Sequence, residues 1–170
     1  MSAQVLTLNK AIVENDKAMV SSMLYNGQAV NQKDQMGNYP ICIAAYYNNT
    51  EILQELINYG ANIHQRNKMN NTALIISAAK GFEKHVQLLI NNGADPNDVG
   101  YQEYSALMYA CAAPEPVNLK VIEILIFNGA DVNYISKDNK TALDLTTNDE
   151  VRDYLKQFGA LTANDLNLDE

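Results

Sequence analysis

The 170-residue sequence is short of cysteine and has no long apolar run. Its two cysteines, Cys42 and Cys111, lie within apolar stretches. We therefore expect buried free thiols rather than a disulfide framework, which needs more cysteines in a shorter secreted chain. No apolar run approaches the roughly 18 residues that cross a bilayer, and the N-terminus lacks the pattern of a Sec-type signal. These absences predict a cytoplasmic protein with no membrane partner, although they do not bear on secretion without a leader.

Basic residues are also scarce, with 12 Lys and Arg against 20 Asp and Glu and a formal net charge of −8. The basic residues are scattered along the chain, whereas a nucleic-acid binder normally carries a basic patch. We therefore expect no nucleic-acid partner. A basic protein partner is favoured instead, because opposite net charge steers encounter. The hydrophobic fraction of 47% is enough for a sizeable core and excludes wholesale disorder.

Motifs for catalysis and metal binding are missing as well. The two histidines, His64 and His85, lie in no Cys/His spacing that matches a zinc site. The stretches "GNYP" and "NNGAD" lack the lysine and the strand-to-helix setting of a phosphate-binding loop. Asp95 and Asp131 recur at one position of a repeat, which favours a structural role. The sequence predicts no catalytic residue, no metal, no cofactor and no enzyme activity.

What the sequence does contain is an internal repeat marked by glycine. The steps between successive repeat glycines are 33, 33, 36 and 30 residues, for Gly27, Gly60, Gly93, Gly129 and Gly159. An apolar cluster with helical spacing precedes each glycine, which fits a left-handed helix C-cap. A shorter apolar segment with small residues lies further upstream. Each period therefore predicts a short buried helix followed by an amphipathic one, with Thr72 and Thr141 as N-caps of two short helices.

The repeat motif resembles the ankyrin-repeat family over about residues 5–161. The matching segments include Thr72-Ala73-Leu74, "LLINNGADPN" and "ILIFNGADVN", together with Asp34, Gly37, Pro40 and Ala44-Ala45. The resemblance implies an all-α solenoid of paired antiparallel helices with β-turn fingers and about five repeats. We number these repeats one to five and expect one domain over 1–161, with an acidic, frayed C-terminal tail over 162–170. The expected bounds are about 5–33 and 136–161 for the terminal caps, and 34–66, 67–99 and 100–135 for the full repeats.

Two departures from the family pattern have structural consequences. The histidine of the family motif is replaced throughout, by Cys42, Ile75, Met108 and Asp144, so we expect weaker hydrogen bonding between fingers. The stretch "CAAPEPVNL" adds three residues to the turn between the two helices of repeat four. We expect the inner helix to end at about Ala113, before both prolines, and the outer helix to start near Val117 or Asn118. Whether this insertion contacts a partner is left open.

The resemblance implies a recognition surface on the concave face, formed by the fingers and the inner helices. Tyrosine and methionine are enriched in interface cores, and this face holds several of both. Because the concave face also carries several lysines, we expect it to be less acidic than the molecule as a whole. We expect the hot spots to be Tyr46, Tyr47, Tyr101 and Tyr104. The full set of expected partner-binding residues is Met36, Asn38, Tyr46, Tyr47, Lys68, Met69, Asn71, Lys80, Tyr101, Gln102, Tyr104, Lys137 and Lys140.

An alternative for the tyrosines is that they reflect a general tyrosine-rich composition, with Tyr47 and Tyr109 packing between repeats. For function, the resemblance implies a non-enzymatic module that binds a protein of unknown identity, and we expect it to be monomeric. Two further functions stay open. One is an acidic inhibitor or immunity protein that docks on a basic toxin or enzyme. The other is a secreted effector that binds host proteins.

Overall fold

The computed structural model describes residues 7–114 and 116–166. Within these ranges the chain forms α-helices, one short 3-10 helix and two isolated β-bridges, with no β-strand. None of the described helices is both long enough and apolar enough to span a bilayer. The helices are α1 Leu8–Val13, α2 Lys17–Tyr25, α3 Pro40–Tyr46, α4 Thr50–Asn58, α5 Ala73–Ala79, α6 Glu83–Asn91, the 3-10 helix Tyr101–Glu103, α7 Ala106–Cys111, α8 Leu119–Phe127, α9 Ala142–Leu145, α10 Asp149–Gln157 and α11 Ala163–Leu166.

The helices stack in two layers. The inner helices α1, α3, α5, α7 and α9 pack on one another in succession, and the outer helices α2, α4, α6 and α8 form the second layer. Inner helices contact neighbours on several sides, so they carry small and aliphatic residues all round; residues 73–78 of α5 are all buried. Each repeat therefore covers the apolar faces of the next, which confirms the expected all-α solenoid.

The local helix signals are also confirmed. Thr72 accepts a hydrogen bond from the amide of Ile75 at 3.4 Å, and Thr141 forms a capping box with Asp144. The same role falls to Ser105 before α7, which the sequence analysis did not single out. The glycines that follow α2, α4, α6, α8 and α10 have φ between 76° and 93°, the left-handed region that favours glycine.

The proline-containing insertion lies between α7 and α8, as expected. The inner helix ends at Cys111, ahead of Pro114, and the outer helix begins at Leu119. Asn118 caps α8 by accepting from the amide of Lys120 at 3.1 Å, and its side-chain amide donates to the carbonyl of Gly81 at 2.9 Å. The insertion is thus anchored at its end to the corresponding turn of repeat three.

An asparagine ladder joins successive repeats on the side of the outer-helix C-termini. The asparagine four residues after a repeat glycine makes two side-chain bonds to the next repeat. Its amide nitrogen donates to the carbonyl of the next repeat glycine, and its oxygen accepts the backbone amide of the residue two positions after that glycine. Three rungs are present, from Asn31 to Gly60, from Asn97 to Gly129 and from Asn133 to Gly159, with donor–acceptor distances of 2.8–3.1 Å. His64 occupies the equivalent position in repeat two and forms no such rung among the described residues.

Other side chains join the fingers where the family histidine is missing. The guanidinium of Arg66 forms an ion pair with Asp98 at 2.6 Å and donates to the carbonyl of Val99 at 2.6 Å. The Cys42 thiol lies 3.5 Å from the carbonyl of Gln65, to which it donates. Contacts between these fingers are therefore made by Arg66 and by Cys42, which itself stands at the histidine position.

The expectation of a frayed tail is wrong for residues 162–166. Thr162, which directly precedes α11, bonds through its side chain to the Asp165 side chain within that helix at 2.6 Å. The amide of Ala163 donates to the carboxylate of Asp144 at 2.8 Å, and Ala163 is buried. Because Asp144 already caps α9, this contact ties the start of the tail to repeat five. Residues 167–170 lie outside the described residues, as do residues 5 and 6 of the first cap.

Candidate functional site

The concave side of the N-terminal three repeats forms an open groove of about 1130 Å³. Its walls are α1 and the fingers of repeats two and three, and its floor is α3 with the end of α5. Ile43, Ile76 and Ala79 contribute apolar surface to this floor. The structure brings together here seven residues of the expected surface, which are Met36, Asn38, Tyr46, Tyr47, Met69, Asn71 and Lys80. We call this site the N-terminal groove.

Exposed apolar side chains concentrate in the N-terminal groove. Met36 is 65% exposed, Met69 is 55% exposed and Tyr46 is 53% exposed, although all three are large and apolar. The rings of Tyr46 and Tyr47 meet edge to face with centroids 5.4 Å apart, so each limits the motion of the other. Contiguous exposed apolar surface of this kind commonly marks a binding site.

The charged side chains of the groove are mostly lysines. Lys80 places its ammonium 3.8 Å from the ring centroid of Tyr46, and Lys33 lies 4.8 Å from the ring of Tyr39. Lys10 lines the groove from α1 and pairs with Glu14 at 3.7 Å. The repeat pattern does not predict Lys10 and Lys33 at this site, because repeat one has no finger and its first helix has the polar residues of a terminal cap. The signal for Lys10 was its position on an inner helix.

Asp34 is the carboxylate among the described lining residues, and it is committed to its own finger. Its Oδ1 accepts from the amide of Asn38 at 2.8 Å, and that finger is closed by backbone bonds between the same two residues. Burial alone would raise the pKa of Asp34, but hydrogen bonds from Asn38 and Asn9 outweigh it and lower the pKa. Asp34 therefore stays ionised with its charge directed to the finger backbone.

Asn71 has a structural role that limits its availability to a partner. Its side chain is only 7% exposed, and its Oδ1 accepts from the amide of Tyr101 at 3.0 Å. This bond joins the fingers of repeats three and four. Tyr101, on the far side of the bond, keeps its ring exposed, as expected.

The expected residues of repeats four and five lie outside the N-terminal groove, and the side chains of two of them bond to the neighbouring finger. The hydroxyl of Tyr104 donates to Asp138 at 2.9 Å, and its ring stacks edge to face on Tyr109. Burial, with a further contribution from Asp138, raises the pKa of Tyr104 to about 12. Lys137 pairs with Glu103 at 3.1 Å. These contacts commit Tyr104 and Lys137 to finger–finger links, while Lys140 and Gln102 remain exposed.

Lys68 is exposed at the rim of the groove and crosses between two fingers. A Cβ at Gly37 would lie 2.9 Å from the Cε atom of Lys68, so the missing side chain at Gly37 makes room for this lysine. Tyr47, the residue for which packing between repeats was the alternative, is partly exposed and lines the groove. Tyr109 is half-buried and packs against the core, in line with that alternative.

The two cysteines lie in different places, since Cys42 is among the residues that line the groove and Cys111 ends α7. Cys42 and Cys111 are buried free thiols, as expected, and burial raises the pKa of each to about 12. Within residues 7–114 and 116–166, no three His, Cys, Asp or Glu side chains are grouped so that they could hold a metal ion.

Comparison with known proteins agrees with this architecture. Residues 8–100 match the family model described as ankyrin repeats in three copies, and residues 102–137 match the single ankyrin-repeat model. No curated protein matches the sequence. Ankyrin repeats generally act as protein–protein interaction modules. The stacked helix pairs, the fingers and the extent of these matches show that the chain belongs to the ankyrin-repeat family.

Proposed function

We propose that this protein is a non-enzymatic interaction module that binds a protein partner through the N-terminal groove. The observation that carries the proposal is the clustering of Met36, Met69, Tyr46 and Tyr47 as exposed side chains on one concave surface. Tyrosine rings lose little conformational freedom on binding, and both tyrosine and methionine side chains bury much apolar area. Residues of repeats four and five would contribute less, since Tyr104 and Lys137 already bond within the solenoid.

The test compares capture by three forms of the full chain from a native lysate of the source organism. The groove variant carries Met36→Ala, Tyr46→Ala and Tyr47→Ala, and the control carries Tyr25→Ala and Tyr59→Ala, two exposed tyrosines at the ends of outer helices. We expect the same partner with wild type and control, and its loss with the groove variant. A partner retained by the groove variant contradicts the proposal.

The two alternative functions gain no support from the groove. An inhibitor of a basic toxin was motivated by the net charge of −8, but the groove is lined by lysines, which favour the opposite sign of partner at this site. A secreted effector that binds host proteins would use the same surface. The groove residues do not depend on a route of export, so they do not favour this alternative.

A further inference from the structure

We propose that the N-terminal groove recognises an extended acidic segment of a protein partner. In this complex, Lys33, Lys68 and Lys80 would meet carboxylates of the segment, and one or more of its apolar side chains would lie on the floor beside Tyr46. This inference rests on the proposed function, since it names the chemistry of the partner at the same site.

The first argument is an imbalance of charge. The chain has 20 acidic and only 12 basic residues, so most of its cations could find a carboxylate nearby. Six of the twelve do so, which are Lys10, Lys17, Arg66, Lys120, Lys137 and Arg152, and Lys10 is the one among them that lines the groove. Within the described residues, six lysines form no ion pair with a carboxylate. Three of them, Lys33, Lys68 and Lys80, lie together in or at the rim of the groove, whereas Lys84 and Lys156 lie on outer helices and Lys140 lies on the last finger. Unneutralised cations on one surface of an acidic protein point to an anionic ligand.

The second argument is that these cations are already held in place. The ammonium of Lys80 lies over the Tyr46 ring, that of Lys33 lies near the Tyr39 ring, and the stem of Lys68 crosses over Gly37. Cation–π contacts and packing of the stem restrict the lysine rotamers before any ligand arrives. A partner carboxylate therefore meets a partly ordered charge, which reduces the entropy lost on binding.

The third argument concerns the form of the ligand. The groove volume of about 1130 Å³ exceeds the upper end of about 1,000 Å³ for small-molecule pockets, and the groove is open along its length. Its exposed apolar residues, Met36 and Met69, stand on two successive fingers, while Tyr46 and Tyr47 lie on the inner helix between them. Contacts spread over two repeats suit an extended segment with apolar and acidic side chains.

A polynucleotide would be the other polyanion to consider, and the structure disfavours it. Nucleic-acid binders that neutralise about 6–10 phosphates need a correspondingly large set of cations. Here the proposed ligand meets three lysines, and the molecule that carries them has a net charge of −8, whose overall field repels a long polyanion. At physiological salt the Debye length is about 8 Å, so a short acidic segment in the groove would respond mainly to the nearby lysines.

The experiment selects ligands from a displayed library of random short peptides, with the wild-type full chain as bait. Enriched peptides are synthesised with a fluorophore, and their affinities are measured by fluorescence polarisation. We expect peptides in which Asp or Glu flanks an aromatic or aliphatic residue. Their affinity should fall by at least about tenfold with the variant Lys33→Glu/Lys68→Glu/Lys80→Glu. It should also fall severalfold between about 50 mM and about 300 mM salt for the wild type, a measurement that needs no variant.

The matched control reverses three exposed lysines on the outer helices, Lys84→Glu/Lys120→Glu/Lys156→Glu, and so reaches the same net charge. Full loss of peptide binding by this control would mean that net charge decides the affinity, and would overturn the proposal. The variant Tyr46→Ala distinguishes a failure of the acidic ligand from a failure of the groove as the binding site. Peptides that need Tyr46 but show no excess of acidic residues overturn the acidic ligand and leave the groove as the binding site.

Peptides that are insensitive to Tyr46→Ala, or a selection that enriches no peptide, overturn both the acidic ligand and the proposed function. A single-stranded oligothymidine is measured in parallel. Binding of this probe as tightly as the best peptide would overturn the choice of an acidic protein segment.

Discussion

The side-chain oxygen of Asn71 lies where a side chain on Gly100 would have to be. It accepts the amide of Tyr101 at 3.0 Å, and a Cβ built on Gly100 would lie only 2.0 Å from it. In the other fingers this position holds Asp34, Asn67 or Ser136, whose side chains bond within their own finger. The finger of repeat four has no side chain at this position to bond within the finger, and its Tyr101 amide donates instead to Asn71 of the neighbouring finger.

This relationship predicts that Gly100→Ala destabilises the protein by about 1–3 kcal/mol, because the new methyl group must displace the Asn71 side chain or the finger backbone. Chemical denaturation measures the loss. The double variant Gly100→Ala/Asn71→Ala is the control, since it removes the clashing atom. The cost of Gly100→Ala should be smaller in the Asn71→Ala background, and equal costs in both backgrounds would contradict the steric explanation.

The asparagine ladder predicts a stabilising substitution. His64→Asn should restore the missing rung, with bonds to the carbonyl of Gly93 and the amide of Asp95, and raise the free energy of unfolding by about 0.5–1.5 kcal/mol. The reverse change, Asn97→His, breaks an existing rung and should lower it by a similar amount. Thermal and chemical denaturation of both variants would check this. A His64→Asn variant no more stable than wild type would show that the rungs are energetically neutral.

His85 predicts a dependence of stability on pH. The side chain is fully buried in α6 against Phe82, and burial lowers its pKa below the ordinary 6.5, an effect that the backbone of Ala45 only partly opposes. The fold therefore favours the neutral ring. The stability that the neutral His85 ring contributes is fully present above about pH 6.5. It is lost as the pH falls below that value toward the lower pKa of His85 in the folded state.

The measurement is the free energy of unfolding at about pH 7.5 and about pH 5.5, on either side of the ordinary histidine pKa. His85→Leu removes the titrating group at similar volume, and His64→Gln is the control because His64 is exposed. Wild type and His64→Gln should lose more stability between the two pH values than His85→Leu does. The same loss in all three proteins would show that other groups account for the pH effect.

The distributed core predicts a large cost for one central truncation. Leu89 is fully buried in α6, so Leu89→Ala should cost about 2–5 kcal/mol through lost apolar contact and a residual cavity. Leu161→Ala is the control, because that leucine is largely exposed in the turn after α10 and should cost under about 1 kcal/mol. Denaturant titration at constant pH compares the two. A cost under about 1 kcal/mol for Leu89→Ala would contradict the assignment of α6 to the shared core.

The regular features of this protein were readable from the sequence because they repeat. The glycine spacing of about one repeat length, the apolar clusters and the caps at Thr72 and Thr141 each depend on residues near in sequence, so local periodicity was enough to predict them. The same periodicity identified the exposed fingertip methionines, Met36 and Met69, and the tyrosines Tyr46 and Tyr47.

Only the tertiary structure decided which side chains of the concave face are already bonded to a neighbouring repeat. Asn71 and Tyr104 occupy positions that the repeat pattern marks as variable, yet each bonds to a finger about 30 residues away in the chain. The pattern does not report such contacts, because they depend on how neighbouring repeats are oriented and on individual side chains. Lys33, by contrast, joins the groove through the packing of α1 and α3. Sequence thus determined the solenoid and its concave face, and the contacts between successive repeats determined which part of that face is available for binding.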